Sequence, residues 1–163
     1  MPATGVWNFI LWLHYLALSL WMGGITFLSA IAAPSTHGSV ASRAIAGEIV
    51  GRMLKRFNTM ELTCALLLLV TSISSFRFVM RKESLWILIV AILVMGVFTS
   101  FYTFHLTPQM DSIKEKNPTL STLSKDHPAK VEFDKLHHLY VRLMSLNLVI
   151  GIAALYGSVV ILK

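Results

Sequence analysis

The chain has 163 residues, of which 55% are hydrophobic and 13% are charged, and its mean hydropathy is +0.68. Few water-soluble domains could bury that much apolar surface, so the composition excludes a soluble enzyme with a deep cleft between two lobes. The formal net charge is +6, but lysines and arginines flank apolar runs, where membrane orientation and anionic lipid explain them better than nucleic acid. We therefore expect a multi-pass membrane protein in contact with the lipid bilayer and not with nucleic acid.

Four apolar runs follow one another, and each reaches the roughly 20 residues that a helix needs to cross a bilayer. They cover residues 6–33, 60–79, 85–106 and 139–162. The first run ends in small residues, as signal peptides do. However, no basic residue precedes it, and it is far longer than the apolar region of a signal peptide, which has about 7 to 15 residues. We expect a retained span, and residues 1–163 to form one all-α membrane domain, a four-helix bundle.

The polar connections are predicted to be partly helical. Between residues 34 and 59, apolar residues recur at helical spacing behind Ser39, which we take as the N-cap of the second helix. Pro128 suits the first turn of a helix, and an apolar stripe continues from it into the last run. The second and fourth helices should therefore extend beyond the bilayer. Residues 107–127 are predicted to be a polar linker with at most a short turn.

The distribution of positive charge predicts an orientation. Four spans place both termini and the turn after the second span on one face of the membrane, and the two long connections on the other. The first face holds four basic residues, Arg77, Arg81, Lys82 and Lys163, and the second face holds the remaining ten of the fourteen. The positive-inside rule therefore favours an inner-membrane protein with its long connections in the cytoplasm.

Ionisable residues inside a membrane are costly, so each one is a functional candidate. His14 shares a helix face with Trp21, and Gly23 and Gly24 follow, where missing side chains let another helix approach closely. Two interpretations of His14 remain open. It forms a hydrogen bond at matching depth, with Ser72, Ser75 or Tyr156, and locks the helices together, or it is an axial haem ligand or a proton carrier.

A second group lies at the boundary next to the long connections. His105 ends the third run, His137 opens the fourth, and Met60 and Cys64 share a face of the second helix. Imidazole with sulfur ligands suits copper or haem iron. Glu61 either adds an oxygen ligand or pairs with Arg142, which is expected to point away from lipid. The alternative is a structural polar layer without a cofactor. Because Cys64 is the single cysteine, an internal disulfide and a Cys-pair zinc site are excluded.

Several short segments carry a family resemblance. LHYLALSLWMGGITFLSAIAAP from Leu13 to Pro34, Phe57, LTPQM from Leu106 to Met110 and FDKLHH from Phe133 to His138 occur in this order. Together they resemble the uncharacterised bacterial family related to transmembrane protein 205. The matching positions are His14, Trp21, Gly23, Gly24, Ala33, Pro34, Phe57, Leu106, Thr107, Pro108, Phe133, Leu136 and His137.

The chain also departs from that family, since Tyr140 and Met144 stand where the family has Ser and Asn after the last motif. The first helix alone is similar to copper-resistance membrane proteins of the CopD type and to a haem-associated protoporphyrinogen oxidase family. The resemblance implies an architecture but no reaction.

Three functions follow as hypotheses. The sequence has no nucleophile elbow, phosphate loop or HExxH pattern, so we expect no enzyme. The first hypothesis is a membrane protein that binds copper or haem b through His105 and His137, with Met60, Cys64, Glu61 or Met110 as further contacts. The second is a non-catalytic accessory subunit of a larger respiratory or electron-transfer complex. The third is a small transporter that uses Glu61, Arg142 and His14 as a relay, although no inverted repeat supports it.

Overall fold

Four long helices make up the part of the protein that the structure describes. The computed structural model describes residues 2–80 and 82–162, with the side chains of Pro2 and Ala3 left out. The helices are α1 (Thr4–Ser39), α2 (Arg43–Arg77), α3 (Lys82–Lys116) and α4 (Pro128–Ile161), and each is long and apolar enough to cross a membrane. The described residues contain no strand. The predicted all-α, four-span architecture is confirmed, while Arg81 and Lys163, which the charge count uses, lie outside the described residues.

The helices pack as a closed ring. Each helix contacts the next one along the chain, and α1 contacts α4, which is the arrangement of an up-and-down bundle. The core between them is built from large side chains such as Leu18, Ile25, Leu68, Ile92 and Met95, all of which are fully buried. Leu18 and Ile25 are seven residues apart on α1, and Ile92 and Met95 are three apart on α3, so each pair lies on one face of its helix.

The outward faces are also apolar. Only 28–39% of the most apolar stretch of each helix is buried inside the bundle, and large side chains such as Phe9, Trp12, Leu66, Val97 and Val149 are exposed. In a soluble protein so large an apolar surface would drive association. The surface is instead suited to contact with lipid acyl chains, as expected of a multi-pass membrane protein.

The helix ends differ from the sequence prediction in two places. The N-cap of α2 is Ser42, whose hydroxyl accepts from the backbone N–H of Ile45. The prediction of Ser39 was wrong, because α1 continues through Pro34 as far as Ser39. The second difference concerns residues 107–116, which continue α3 as a helix and are not a linker. The connection to α4 is therefore limited to residues 117–127, with a short turn at Leu120–Thr122.

Two other expectations about helix extent are confirmed. The second and fourth helices begin well before their apolar runs, α2 at Arg43 and α4 at Pro128. Pro128 occupies the first turn of α4, where its missing N–H costs no hydrogen bond, and the side chain of His127 caps the helix by accepting from the N–H of Ala129.

Both α1 and α3 contain one π-helical turn, at Leu28–Ala32 and at Tyr102–Leu106. A proline lies two residues after the end of each turn, Pro34 in α1 and Pro108 in α3. A proline has no N–H and its ring collides with the carbonyl four residues earlier, so a wider turn before it relieves the conflict. The hydroxyl of Thr107 donates to the carbonyl of Tyr102 at 2.8 Å and supports the second of these turns.

Candidate functional site

The centre of the bundle holds a carboxyl group. Glu61 on α2 is fully buried. The indole Nε1 of Trp21 donates to its Oε1 at 2.7 Å, and the hydroxyl of Tyr102 donates to its Oε2 at 2.6 Å. Both carboxyl oxygens thus have a donor, one from α1 and one from α3. Hydrogen bonds to a carboxylate are among the stronger ones in proteins, so they offset part of the cost of burying the group.

The network continues from α3 to α4. The hydroxyl of Tyr102 lies 3.0 Å from Oγ1 of Thr99, and the Nδ2 group of Asn147 donates to Oγ1 of Thr99 at 3.0 Å and to the carbonyl of Met95 at 3.2 Å. The Oδ1 atom of Asn147 is buried without a partner among the described residues. All four helices therefore contribute polar groups to one layer, which we call the Glu61 layer: Trp21, Glu61, Thr99, Tyr102 and Asn147.

A second pair of polar side chains lies beside the Glu61 layer. The hydroxyl of Tyr140 on α4 donates to Oδ1 of Asn58 at 2.7 Å. The rings of Tyr102 and Tyr140 have centroids 4.7 Å apart. Asn58 and Glu61 are three residues apart on α2, so both side chains point into the bundle.

The predicted pairing of Glu61 with Arg142 is wrong. Arg142 is exposed on the outer surface of α4, and Glu61 forms no ion pair with a described residue. Arg142 therefore lies on the surface of the bundle and not in its interior. A long arginine side chain near the end of a span can extend its charged group to the membrane surface while its stem stays in apolar surroundings.

His14 lies in a separate polar layer nearer the other end of the bundle. It is fully buried, with Nδ1 2.9 Å from Oγ1 of Thr71 and Nε2 3.0 Å from Oγ of Ser158. The predicted kind of partner, a hydroxyl at matching depth, is therefore present, but it is not one of the residues named from the sequence, which were Ser72, Ser75 and Tyr156. Because both ring nitrogens are engaged, neither points at a free coordination position.

The predicted copper or haem residues occupy different surroundings. His105 is exposed beside Phe101, and His137 is exposed beside Phe133 and His138. Met60 is half-buried, whereas Cys64 is buried next to Glu61 on α2. The described residues hold no group of three His, Cys, Asp or Glu side chains arranged to bind a metal ion.

A small cleft opens above the Glu61 layer, at the end of the bundle with the long connections. We call it the boundary cleft. It offers about 40 Å³ to water-sized molecules, room for a few waters and not for a haem. Its lining comes from α2, α3 and α4: Gly51, Leu54, Lys55, Asn58, Thr107, Met110, Asp111, Lys114, His137 and Tyr140. Asn58 and Tyr140 thus lie between this cleft and the Glu61 layer.

Two positions of the family motif meet in space. Gly24 on α1 faces the ring of Phe57 on α2, and a Cβ atom at Gly24 would overlap that ring. Gly23, in contrast, is exposed and has no atom within 4 Å of such a Cβ. Only the second glycine is therefore needed for close packing. Other motif positions, Thr107 and His137, line the boundary cleft.

Sequence reasoning did not identify Tyr102, Asn58 or Thr99 as parts of a site. The available signal was spacing: Asn58 lies three residues before Glu61, and Tyr140 lies seven before Asn147, so each pair shares one helix face. Polar residues that recur on one face of an apolar helix indicate the buried face, and this pattern could have placed the Glu61 layer.

Comparison with protein families matches residues 16–119 to a model described as Domain of unknown function (DUF4149). The matched segment covers more than half of the chain and includes Trp21, Glu61 and Tyr102, while His14 and α4 lie outside it. No curated protein and no solved structure matches the chain. The resemblance to the family related to transmembrane protein 205 stays a prediction.

Proposed function

The chain belongs to the DUF4149 family, whose domain has no assigned function, and we propose that it is a non-enzymatic multi-pass membrane protein with an internal proton site at Glu61. In this proposal Glu61 takes up and releases a proton through the boundary cleft, as one step of a proton-linked membrane process. The observation that carries the proposal is a carboxyl group buried among hydrogen-bonding side chains of the bundle, without an ion pair to a described residue. An ionisable residue inside a membrane bundle is a functional candidate by default.

The hydrogen-bond partners of Glu61 suit both protonation states. When Glu61 is ionised, the indole N–H of Trp21 donates to one carboxylate oxygen and the hydroxyl of Tyr102 donates to the other, which is the arrangement in the structure. When Glu61 is protonated, its O–H can donate to the Tyr102 oxygen, and the Tyr102 hydroxyl can turn to donate to Thr99, 3.0 Å away. A proton can therefore be gained or lost with little more than a rotation of one hydroxyl group.

The access route leads through the two tyrosines. Tyr140 packs against the ring of Tyr102 and lines the boundary cleft together with Asn58. Water in the cleft thus lies one side-chain layer away from the Glu61 layer. Exchange of the proton requires Tyr140 and Asn58 to separate or to admit a water molecule, so their hydrogen bond acts as the barrier between cleft and core.

The proposal is tested by infrared difference spectroscopy on the protein in lipid nanodiscs. A change of pH should produce a C=O stretching band of a buried, protonated carboxyl group in the wild type, and Glu61→Gln should abolish it. Glu83→Gln is the matched control, since Glu83 is exposed at the start of α3, and it should keep the band. A band that persists in Glu61→Gln, or a carboxyl group whose state does not change with pH, would contradict the proposal.

Copper binding is a second candidate, because His137 and Met110 line the boundary cleft together and imidazole with thioether is a copper-binding combination. Lys55 is paired with Asp111, but the ammonium group of Lys114 has no such partner among the described residues and disfavours a cation there, so we place copper second. A haem site and a role as accessory subunit of a larger complex stay predictions. The same holds for an inner-membrane location with the long connections in the cytoplasm.

A further inference from the structure

The floor of the boundary cleft presents a hydrogen-bond donor without an acceptor. Asn58 is only 1% exposed, and its Oδ1 accepts from Tyr140. Its Nδ2 group donates to no described residue, and Asn58 is one of the residues that line the cleft. Because this Nδ2 is not among the fully enclosed polar atoms that lack a partner, it is open to the cleft, where it can donate to a bound molecule. The cleft thus contains a donor that a ligand would satisfy.

The walls of the cleft carry an excess of positive charge. Lys55 is paired with Asp111 at 2.6 Å, so these two charges offset each other. Lys114 forms no ion pair with a described residue, and its Nζ lies over the ring of Phe133, 5.3 Å from the centroid. Gly51 leaves space beside this ammonium group, since a Cβ atom there would lie 3.6 Å from the Lys114 Nζ.

We propose that the boundary cleft binds the oxyanion of a phosphate or carboxylate group. Lys114 supplies the charge, and the Nδ2 group of Asn58 supplies a directed hydrogen bond at the floor. A hard cation such as Mg²⁺ or Ca²⁺ would need oxygen acceptors, but the carboxylate of Asp111 is engaged with Lys55 and the Asn58 oxygen is engaged with Tyr140. An anion instead meets donors that are already in place, so the polarity of the lining selects for it.

The oxyanion has two possible sources, a small solute or the headgroup of an anionic lipid. The cleft lies where the apolar stretches of α2, α3 and α4 meet their polar extensions, at the depth where headgroups are found, and Leu54 and Met110 add apolar lining. The site does not depend on the protonation of Glu61, so it stands or falls separately from the proton site.

Binding of inorganic phosphate to the full-length protein, measured by isothermal titration calorimetry in detergent, tests the site. Lys114→Gln should weaken binding about tenfold, as expected for loss of one charge-assisted hydrogen bond. Lys116→Gln on the exposed side of the same helix segment is the matched control and should bind as the wild type does. Gly51→Leu adds a side chain that fills the cleft without changing any charge, and this variant should abolish binding.

Native mass spectrometry of protein from nanodiscs separates the two sources. Retention of phosphatidylglycerol but not phosphatidylcholine, reduced in Lys114→Gln, would identify a lipid headgroup, whereas phosphate binding without lipid retention would identify a small solute. Equal binding by the Lys114→Gln and Lys116→Gln variants would overturn the proposal. It would also be overturned if the wild type bound neither phosphate nor anionic lipid.

Discussion

The contact between Gly24 and Phe57 determines how closely α1 and α2 approach, and a single methyl group tests it. A Cβ atom at Gly24 would overlap the Phe57 ring, and Phe57 is only 7% exposed, so the ring has little space to move. Overpacking of this kind costs typically about 1–3 kcal/mol. We therefore expect Gly24→Ala to lower the free energy of unfolding by about 2 kcal/mol.

The neighbouring glycine is the matched control. A Cβ at Gly23 meets no atom within 4 Å, so Gly23→Ala should not lower the free energy of unfolding, and it should raise it by about 0.5–1 kcal/mol because alanine is the better helix former. Reversible unfolding in mixed micelles measures both values. A third variant, Gly24→Ala combined with Phe57→Leu, should recover part of the loss, because the smaller side chain leaves room for the methyl group. Equal effects of the two glycine substitutions would refute the packing argument.

Three further predictions concern the polar groups of the bundle. Tyr102→Phe removes a donor to a buried carboxyl group and should lower the free energy of unfolding by about 1.5–3 kcal/mol. Tyr156→Phe is the control, because Tyr156 is 74% exposed, and it should leave thermal unfolding in nanodiscs unchanged. Equal losses of stability in the two variants would contradict the role of Tyr102 in the Glu61 layer. His14→Leu removes two hydrogen bonds between helices and should lower the free energy of unfolding by about 1–2 kcal/mol in the same assay. An unchanged melting temperature would show that these hydrogen bonds do not stabilise the bundle. The copper candidate predicts that elemental analysis of gently purified protein shows copper that His137→Ala removes and His105→Ala, at a residue outside the cleft, does not; a metal-free sample contradicts it.

Hydropathy was sufficient to predict the four spans, because the apolar stretch of each helix is long enough to define a membrane crossing by itself. Helix ends were harder to predict. Ser39 and Ser42 are equally good capping residues by type, and only the continuation of α1 past Pro34 decides between them. Residues 107–116 are polar enough to be read as a linker, yet they continue the helix that begins at Lys82 and contains the third apolar run.

The contacts of Glu61 could not be predicted, because the outward faces of these helices are as apolar as the inward ones. In a soluble bundle the polar face of a helix points to water, and Glu61 would be placed outside. In this bundle a polar side chain within an apolar helix is instead expected to point inward. Arg142 was predicted to point inward for that reason, although it lies on the surface. The choice of Trp21 and Tyr102 as partners depends on the rotation of α1 and α3 about their axes, which hydropathy does not specify.

The π-helical turn at Tyr102–Leu106 fixes the rotational phase of the segment that follows it. One residue of an α-helix corresponds to about 100° of rotation, and a π turn accommodates one residue more than an α turn. If the same residues formed a regular α-helix, the extra residue would no longer be absorbed, and Thr107–Lys116 would be rotated by about that angle relative to the first part of α3. Asp111 would then face away from Lys55 on α2, while Tyr102 would keep its place beside Glu61. Deleting Phe104 removes the extra residue together with the wide turn, so this deletion should leave both contacts in place. The π turn thus aligns two stretches of one helix to two different neighbours, the carboxyl group in the core and the charged residues beyond it.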